Sequence, residues 1–207
     1  ILDLSKVEAG RLEVEAVGCQ VHEVVHEVLD IMRVRAEQSG VQLRLDFPKA
    51  LPRTMRTDPA RLRQIVTNLV GNALKFTAQG AVTVRVYLGS DDDPARLKID
   101  VADTGIGIPT HKLESIFEPF VQAEASTTRQ FGGTGLGLTI SRRFARALGG
   151  DIVATSVQGQ GSTFHVSLHA ELVSAANDWL SPQDMARRHQ AASTVDGSLR
   201  WRFEPAT

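Results

Sequence analysis

A single helix that carries two separate faces constrains the fold of this sequence more than any other segment. Asp58-Pro59 predicts its start, because an aspartate can cap free backbone amides and proline is tolerated at the first helical position. At about 100° per residue, an apolar stripe and a polar row fall about 120° apart. The stripe consists of Leu62, Ile65, Val66, Leu69 and Ala73, and the row consists of Arg61, Gln64, Asn68, Asn72 and Lys75. The stripe requires a core, whereas the row by itself fits either a solvated surface or a binding site.

The chain is long enough for one ordinary domain and carries no signature of a charged or lipid partner. It has 207 residues, of which 42% are apolar, and a net charge of -1. Because it has no basic surface, nucleic acid is not an expected partner. No apolar run approaches the roughly 18 residues of a membrane helix. The single cysteine, Cys19, is typical of a reducing compartment, so we expect a cytoplasmic chain, beside a membrane if the whole protein is anchored in one.

Hydrophobic periodicity predicts an α+β order of elements. Alternating residues predict strands at Leu12–Val17, Val41–Leu45, Ala81–Leu88, Leu97–Val101, Ile152–Ser156 and Thr163–Leu168. Pro48 and Pro52 predict a loop before a short segment near Thr54–Arg56. Helical spacing predicts helices at Val21–Ala36, after Asp58, at Lys112–Phe117 and at Thr139–Leu148. Because no βαβ alternation is visible, we expect a two-layer α/β sandwich, with an antiparallel or mixed sheet covered by helices on one face.

Two glycine clusters, Asp103-Thr-Gly-Ile-Gly-Ile-Pro109 and Gly132-Gly-Thr-Gly-Leu-Gly-Leu138, point to close approach between backbone and ligand. Alternate glycines permit positive φ angles, and free amides there can face phosphate oxygens. Neither cluster has the spacing of a dinucleotide-binding fingerprint or of a P-loop. The second cluster opens a helix, so its amides and the helix dipole favour a bound anion. Each cluster alone is also compatible with a flexible turn.

Four motifs that occur in a fixed order carry a family resemblance. They are Asn68-Leu-Val-Gly-Asn-Ala-Leu-Lys-Phe-Thr77, Asp103-Thr-Gly-Ile-Gly-Ile108, Ile116-Phe-Glu-Pro-Phe120 and Gly133-Thr-Gly-Leu-Gly-Leu138. Together they resemble the N, G1, F and G2 boxes of sensor histidine kinases of the hybrid type. The resemblance covers residues 12–168. It implies the Bergerat ATP-binding fold of the gyrase, chaperone, histidine kinase and MutL superfamily.

The resemblance implies a site for ATP and Mg²⁺, and each implied role has a physical reason. Asn72 resembles the magnesium ligand, since a hard cation accepts a carboxamide oxygen together with phosphates and water. Lys75, on the same face, resembles a phosphate contact, and Asp103 resembles the acceptor for the adenine amino group. The implied catalytic residues are Asn68, Asn72 and Lys75. The implied nucleotide-binding residues are Asn68, Asn72, Lys75, Asp103, Gly105, Gly107, Arg129, Gly133, Thr134, Gly135, Leu136, Gly137 and Thr163.

Three further assignments concern the loops around the nucleotide. Val121–Phe131 resembles the mobile ATP lid, in which Arg129 is either a γ-phosphate contact or a solvated side chain. Phe117 and Phe120 are expected to pack and to fix the hinge of that lid. Gly159-Gln-Gly-Ser-Thr163 resembles the last glycine box, although a plain hairpin turn explains it nearly as well.

Asn68 favours phosphoryl transfer over rapid hydrolysis. In the gyrase-type and chaperone ATPases of this superfamily, a water-activating glutamate stands one turn before the magnesium asparagine. An amide cannot accept a proton at neutral pH, so Asn68 disfavours fast ATP hydrolysis. We therefore expect the γ-phosphoryl group to be held for an external acceptor, with catalysis from positioning and Mg²⁺. A gyrase-class clamp and a degenerate nucleotide-binding scaffold are the competing hypotheses.

The expected phosphoacceptor is a histidine outside this chain, so the chain alone is expected to bind ATP without phosphorylating itself. The six histidines are His22, His26, His111, His165, His169 and His189, and none stands on a first dimerisation helix, where the family places its acceptor. His22 and His26 have metal-ligand spacing, but without a third ligand a solvated or partner-facing pair is expected. The implied partners are the dimerisation and phosphoacceptor domain, a response-regulator receiver domain, and a second copy in a full-length homodimer.

The sequence predicts three segments along the chain. Residues 1–10, Ile1-Leu-Asp-Leu-Ser-Lys-Val-Glu-Ala-Gly10, resemble the end of the second dimerisation helix. Residues 11–170 are expected to form the ATP-binding catalytic domain. Residues 171–207, which contain Trp179 and Trp201, form either a linker or a segment folded back onto the domain or a partner.

Overall fold

A computed structural model describes residues 13–89, 95–121, 135–173 and 178–186. The main helices are α1 (Val21–Gln38), α2 (Pro59–Phe76) and α3 (Gly137–Ala147). The longer strands are β2 (Val41–Asp46), β5 (Gly80–Leu88), β6 (Arg96–Asp103), β7 (Asp151–Val157) and β8 (Gly161–His169). The short strands are β1 (Val17–Cys19), β3 (Leu51–Pro52), β4 (Met55–Thr57), β9 (Glu171–Leu172) and β10 (Trp179–Leu180). The longer strands form one sheet in the order β2-β5-β6-β8-β7.

The central sheet is mixed and is covered by the helices on one face, as the sequence predicted. β2 and β5 are parallel neighbours, with Val41 opposite Gly80, and the chain between them passes through α2. This is a βαβ crossover, so the expectation that the chain lacks such a unit is wrong. β3 and β4 stand between β2 and α2 in the sequence and hide the alternation. The other pairs of the sheet are antiparallel.

α2 begins where the sequence predicts. Asp58 Oδ1 accepts hydrogen bonds from the backbone N–H groups of Ala60 and Arg61, each at 3.0 Å, and Pro59 is the first helical residue. The apolar stripe predicted for this helix is buried, with every member at most 2% exposed. The stripe belongs to the single core that lies between the helices and the sheet. α1 also forms as predicted, and Gly40 takes the positive φ angle of 67° that ends it.

The strand predicted at Leu12–Val17 is wrong in its position. Residues 13–16 are not in a strand, and only Val17–Cys19 pairs with β4. Val14 is 37% exposed, so the alternation of apolar and acidic residues has no core beneath it. The backbone N–H of Glu15 donates to Asp58 Oδ2 at 3.1 Å instead of to a neighbouring strand.

The helix predicted around Lys112–Phe117 is instead a pair of single 3₁₀ turns, Thr110–Lys112 and Ser115–Phe117. The side chain of Ser115 donates to the carbonyl of Lys112 at 3.2 Å. Serine hydroxyls compete in this way with helical hydrogen bonding, which favours short turns over a continuous helix. Ile116 and Phe117 are nevertheless buried, as their apolar character requires.

The histidine pair on α1 does not form a solvated or partner-facing surface, so that expectation is wrong. His22 is 1% exposed, and the ring of His26 lies 5.6 Å from that of Phe47. α1 turns this side toward the domain because its valines occupy the same face. Within the described part of the chain, no group of three or more His, Cys, Asp or Glu residues is placed to hold a metal. None of the helices that the structure describes has the length and apolarity needed to cross a bilayer.

The described residues after 170 pack onto the domain and do not leave it as a linker. β9 pairs with β4, and β10 pairs with β3. Arg53 Nε donates to Asp178 Oδ1 at 2.5 Å, and the backbone N–H of Arg53 donates to the Asp178 carbonyl at 2.9 Å. Leu180 and Met185 are buried in the core. Trp201 and the rest of residues 187–207 lie outside the described residues.

We predict that Leu180→Ala destabilises the domain by about 2–3 kcal/mol, because it leaves a cavity beside Leu51 in the buried core. The free energy of unfolding from urea titration measures the effect. Val173→Ala is the matched control, since Val173 is 56% exposed and its loss is expected to change stability by about 0.5 kcal/mol or less. Equal effects of the two substitutions would contradict the packing of this segment.

A second prediction concerns the ion pair that joins α3 to β7. Burial alone would raise the pKa of Asp151, but hydrogen bonds from Arg142, the Ile152 N–H and Arg146 lower it to about 2. A lowered pKa in the folded state stabilises the fold above the ordinary carboxyl value, and this stabilisation is lost as the pH falls through about 2. We expect Arg142→Ala to move the Asp151 titration toward about 3.9, measured by NMR of the carboxyl carbon. Arg85→Ala removes a comparable ion pair with Asp46 and is expected to leave the Asp151 titration unchanged.

Candidate functional site

Two members of the polar row of α2, Arg61 and Asn68, contact α3, and these contacts show that the two helices run in opposite directions. The guanidinium of Arg61 lies 4.7 Å from the ring centroid of Phe144. Two turns further along α2, Asn68 Nδ2 donates to Ser141 Oγ at 2.9 Å. As α2 advances from 61 to 68, its contacts on α3 therefore move back from 144 to 141.

This antiparallel packing points the N-terminus of α3 along α2. Asn68 reaches the first residue of α3, because a Cβ added to Gly137 would lie 2.3 Å from Asn68 Oδ1. Asn72 follows one turn later, about 6 Å along the axis, and so lies just beyond the start of α3. The first-turn amides of a helix lack internal partners and carry the positive end of the dipole. An anion at this point would meet those amides on one side and the polar row of α2 on the other.

Lys75 adds positive charge to the same end of α2. Burial lowers the pKa of Lys75, and the nearby guanidinium of Arg35 lowers it further. The ammonium group lies 4.8 Å from the ring centroid of Phe76.

Asp103 ends β6 and holds the first glycine loop. Its Oδ1 accepts a hydrogen bond from the backbone N–H of Gly105 at 2.8 Å. Burial raises the pKa of Asp103, although hydrogen bonds from the backbone N–H groups of Gly105 and Ser162 oppose the rise. The carboxylate therefore lies in a partly desolvated position, where a further donor from a ligand would stabilise its charge.

The loop after Asp103 is fastened to the end of α2. A Cβ on Gly105 would lie 2.3 Å from the carbonyl oxygen of Phe76, so no side chain fits at this position. The backbone N–H of Ile106 donates to the same carbonyl at 3.3 Å. Phe76 lies one turn after Asn72, as Asn68 lies one turn before it. Asn72 is thus placed between the α3 N-terminus and the Asp103 loop, which brings these sequence-predicted site residues together.

The hairpin between β7 and β8 supports the other side of the loop. Gly107 has a φ angle of 67°, and a Cβ there would lie 2.2 Å from the carbonyl oxygen of Val157. The backbone N–H of Gly159 donates to the Ile106 carbonyl at 2.7 Å. Gly161 lies against the backbone of Asp103, where a Cβ would come within 2.0 Å of the carbonyl oxygen. Gly107 and Gly161 are therefore required for close contact between loops, which a simple hairpin turn would not demand, whereas a Cβ on Gly159 would meet nothing within 4 Å.

Thr163 does not join the other predicted site residues. It lies next to Ser162 on β8, and successive side chains of a strand point to opposite faces. Ser162 shares the helix-covered face with buried Phe164, so Thr163 faces the outer side of the sheet. The residue beside Asp103 is Ser162, whose hydroxyl lies 3.1 Å from that of Ser156. The alternation of β8 was visible in the sequence and could have identified Ser162.

The residues around the second glycine cluster are described only in part. Arg129, Gly133 and Thr134, with residues 122–131 of the expected lid, lie outside the described residues. Gly135 has a φ angle of 69°, and its carbonyl accepts a hydrogen bond from the backbone N–H of Phe120 at 3.2 Å. Leu136 is buried at the start of α3.

The two phenylalanines of the third motif behave differently. Phe117 is buried, and its ring lies 6.5 Å from that of Phe164 in an edge-to-face arrangement, so the expected packing is confirmed. Phe120 is 70% exposed and has a φ angle of 63°, so the expectation that it packs is wrong. A β-carbon is strained at this φ, and the hydrogen bond between its N–H and Gly135 helps to hold the conformation.

Comparison with known proteins identifies the class. A model of the family described as histidine kinase-, DNA gyrase B-, and HSP90-like ATPase matches residues 57–172. The matched stretch is more than half of the chain and contains α2, the Asp103 loop, α3 and β8. The chain belongs to this ATPase family.

The individual relatives are sensor histidine kinases. The sensor protein GacS of Pseudomonas syringae pv. syringae is 41% identical over 169 residues, which are 81% of this chain and 19% of GacS. The autoinducer 2 sensor kinase/phosphatase LuxQ of Vibrio parahaemolyticus is 39% identical over 97% of this chain and 23% of LuxQ. A crystal structure of full-length ShkA in complex with AMPPNP matches with a TM-score of 0.75 and 31% identity, over 84% of this chain and 35% of ShkA. This chain therefore contains an ATPase domain of the kind found in these sensor kinases, and it spans about a fifth of the length of these curated relatives.

The close contact at Gly105 gives a prediction about stability. Gly105→Ala is expected to destabilise the domain by about 1–3 kcal/mol, because the added methyl group collides with the backbone of Phe76. Gly71→Ala is the control, since a Cβ at Gly71 in α2 would have no neighbour within 4 Å. Alanine favours a helix over glycine by about 1 kcal/mol, so this control is expected to stabilise the domain. Thermal and urea unfolding of both variants measure the difference, and a neutral Gly105→Ala would contradict the described loop.

Proposed function

We propose that this chain binds Mg-ATP between α2, the Asp103 loop and α3, and that it transfers the γ-phosphoryl group to a histidine of a dimerisation domain. The observation that carries the proposal is the direction of α3, whose N-terminus points along α2 toward Asn72 and Lys75. Phosphates placed there would meet free amides and a cation. Asp103 lies on the other side of Asn72 from the α3 N-terminus, where its carboxylate could bind the nucleoside.

The proposed roles follow from the chemistry of each side chain. Asn72 would hold Mg²⁺ through its amide oxygen, and a single neutral ligand fits this ion because phosphates and water complete its octahedral shell. Lys75 would contact the phosphates as a point charge. Asp103 would accept a hydrogen bond from the adenine amino group, with Ser162 beside it in place of Thr163. Arg129, Gly133 and Thr134 remain proposed phosphate contacts.

The proposed reaction needs little covalent chemistry from the protein. An unprotonated imidazole nitrogen would donate its electron pair to the γ-phosphorus, while the bond from phosphorus to the β,γ-bridging oxygen breaks and its electrons leave with ADP. The other imidazole nitrogen would then release its proton to solvent. Mg²⁺, when bound, would neutralise charge on the phosphate oxygens. The protein would contribute alignment of the two reacting atoms, and the amide of Asn68 would not activate water.

The proposed setting of the domain extends that role. We assign residues 1–10 to the end of a dimerisation helix and residues 11–170 to the catalytic domain, onto which the described residues after 170 also pack. We place the phosphoacceptor histidine in a domain shared by a homodimer. A receiver domain would accept the phosphoryl group next, because the four motifs resemble those of hybrid sensor kinases. Because ATP is the proposed donor, the domain would act in the cytoplasm, including when the whole protein is anchored in a membrane.

The proposal predicts that Asn72→Ala abolishes the gain in ATP affinity that Mg²⁺ provides. Isothermal titration of the 207-residue chain with ATP, with and without Mg²⁺, measures this gain. We expect the variant to bind Mg-ATP about tenfold more weakly, equivalent to about 1.4 kcal/mol. Thr67→Ala, on the exposed side of the same helix, is the control and is expected to bind as the parent does. An undiminished response of Asn72→Ala to Mg²⁺ would refute the metal assignment.

Two further measurements in the same system separate the competing functions. In Asp103→Asn, the preference for ATP over GTP is expected to fall, because the side chain can then also donate a hydrogen bond. Transfer of ³²P from γ-labelled ATP to a dimerisation hairpin supplied in trans supports the proposed kinase. Release of ADP without an acceptor would indicate a gyrase-class clamp, and nucleotide binding with neither reaction would indicate a scaffold.

A further inference from the structure

Asn68 is held by α3 at both ends of its carboxamide group. Its Nδ2 donates to Ser141 Oγ at 2.9 Å. Its Oδ1 lies against Gly137, the first residue of α3, where an added Cβ would come within 2.3 Å of that oxygen. The orientation of the amide is therefore set by two contacts that are one helical turn apart on α3.

Ser141 is more than a residue that fills space between the helices. It is 2% exposed, so its hydroxyl is removed from water and needs a hydrogen-bond partner inside the protein. The partner is the amide nitrogen of Asn68, which belongs to the row that faces the proposed phosphate site. Thr139, two residues earlier and also buried, donates instead to the carbonyl of Phe117 at 2.9 Å. The two buried hydroxyls of α3 thus have different tasks.

We infer that Ser141 is a positioning residue for phosphoryl transfer and acts by fixing the orientation of the Asn68 amide. The inference rests on the proposed function of the site. With Nδ2 directed to Ser141, the oxygen of the amide lies at the α3 N-terminus and presents a hydrogen-bond acceptor there. A 180° rotation of the amide would place N–H donors at that position and would leave Ser141 facing an oxygen. Because a serine hydroxyl can accept from the amide N–H or donate to the amide oxygen, Ser141 stops free rotation of the amide before the nucleotide and the acceptor arrive.

Ser141 is expected to affect the rate of phosphoryl transfer and not the affinity for Mg-ATP. ATP would be held mainly by Asn72, Lys75, Asp103 and the first-turn backbone amides of α3, whereas the Ser141 hydroxyl bonds to Asn68. Loss of the Ser141 hydroxyl would therefore leave the dissociation constant of Mg-ATP nearly unchanged. The rate of transfer at saturating ATP would fall, because a freely rotating amide spends part of its time in the wrong orientation.

The test compares Ser141→Ala with two matched variants. Ser141→Thr keeps a hydroxyl at the same position, and Thr139→Ala removes the other buried hydroxyl of α3. For each folded variant, isothermal titration gives the dissociation constant of Mg-ATP. Single-turnover transfer from γ-labelled ATP to the dimerisation hairpin gives the rate at saturation. NMR of the Asn68 side-chain NH₂ pair, recorded without nucleotide, reports the contact itself.

We expect Ser141→Ala to slow transfer about five- to twentyfold, to change the dissociation constant less than twofold, and to shift the Asn68 NH₂ signals toward those of a solvated amide. Ser141→Thr is expected to restore most of the rate. Thr139→Ala is expected to lower the unfolding temperature without this loss of rate. Transfer by Ser141→Ala at the parental rate, or an equal loss in Thr139→Ala, would overturn the inference. If the parent itself neither binds ATP nor transfers phosphate, the proposed function fails, and an unmoved Asn68 NH₂ signal would separately refute the contact.

Discussion

The contact between α2 and α3 is the constraint on which the rest of the site depends. A hydrogen bond from Asn68 to Ser141 and the absence of a side chain at Gly137 allow the two helices to lie close together in opposite directions. Because α3 runs antiparallel to α2, the free backbone amides at the α3 N-terminus face toward Asn72. In a parallel arrangement, the negative end of the α3 dipole would lie beside Asn72, and an anion would be repelled.

A second constraint is the close approach of backbones around the Asp103 loop. Gly105 lies against the last carbonyl of α2, and Gly107 lies against the hairpin between β7 and β8. The sheet therefore does not merely support the helices; it sets the distance between Asp103 and the polar row of α2. Each of these contacts lacks space for a β-carbon, so a substitution would move one loop relative to another. Rigidity of this kind is what a site that works by alignment requires.

Local sequence patterns predicted the fold correctly where the structure depends on interactions between residues that are close in sequence. The cap at Asp58 and the apolar stripe of α2 are set by residues close in sequence, and both were placed correctly. The strand at Leu12–Val17 was misplaced because alternation signals a half-buried strand only if a core lies beneath it. The parallel pairing of β2 and β5 was missed because strand neighbours are chosen across long stretches of chain.

The sequence by itself determined which side-chain groups this protein offers for binding. They are a row of amide and cationic side chains on one helix and an aspartate before alternating glycines, together with a helix that begins at a glycine. These depend on residue type and on helical periodicity, which act over a few residues. Only the tertiary structure decided that Ser162 and not Thr163 stands beside Asp103, and that Ser141 holds Asn68. Such pairings join residues that are distant in sequence, and their partners are fixed by strand register and helix direction, which the packing of the whole core selects.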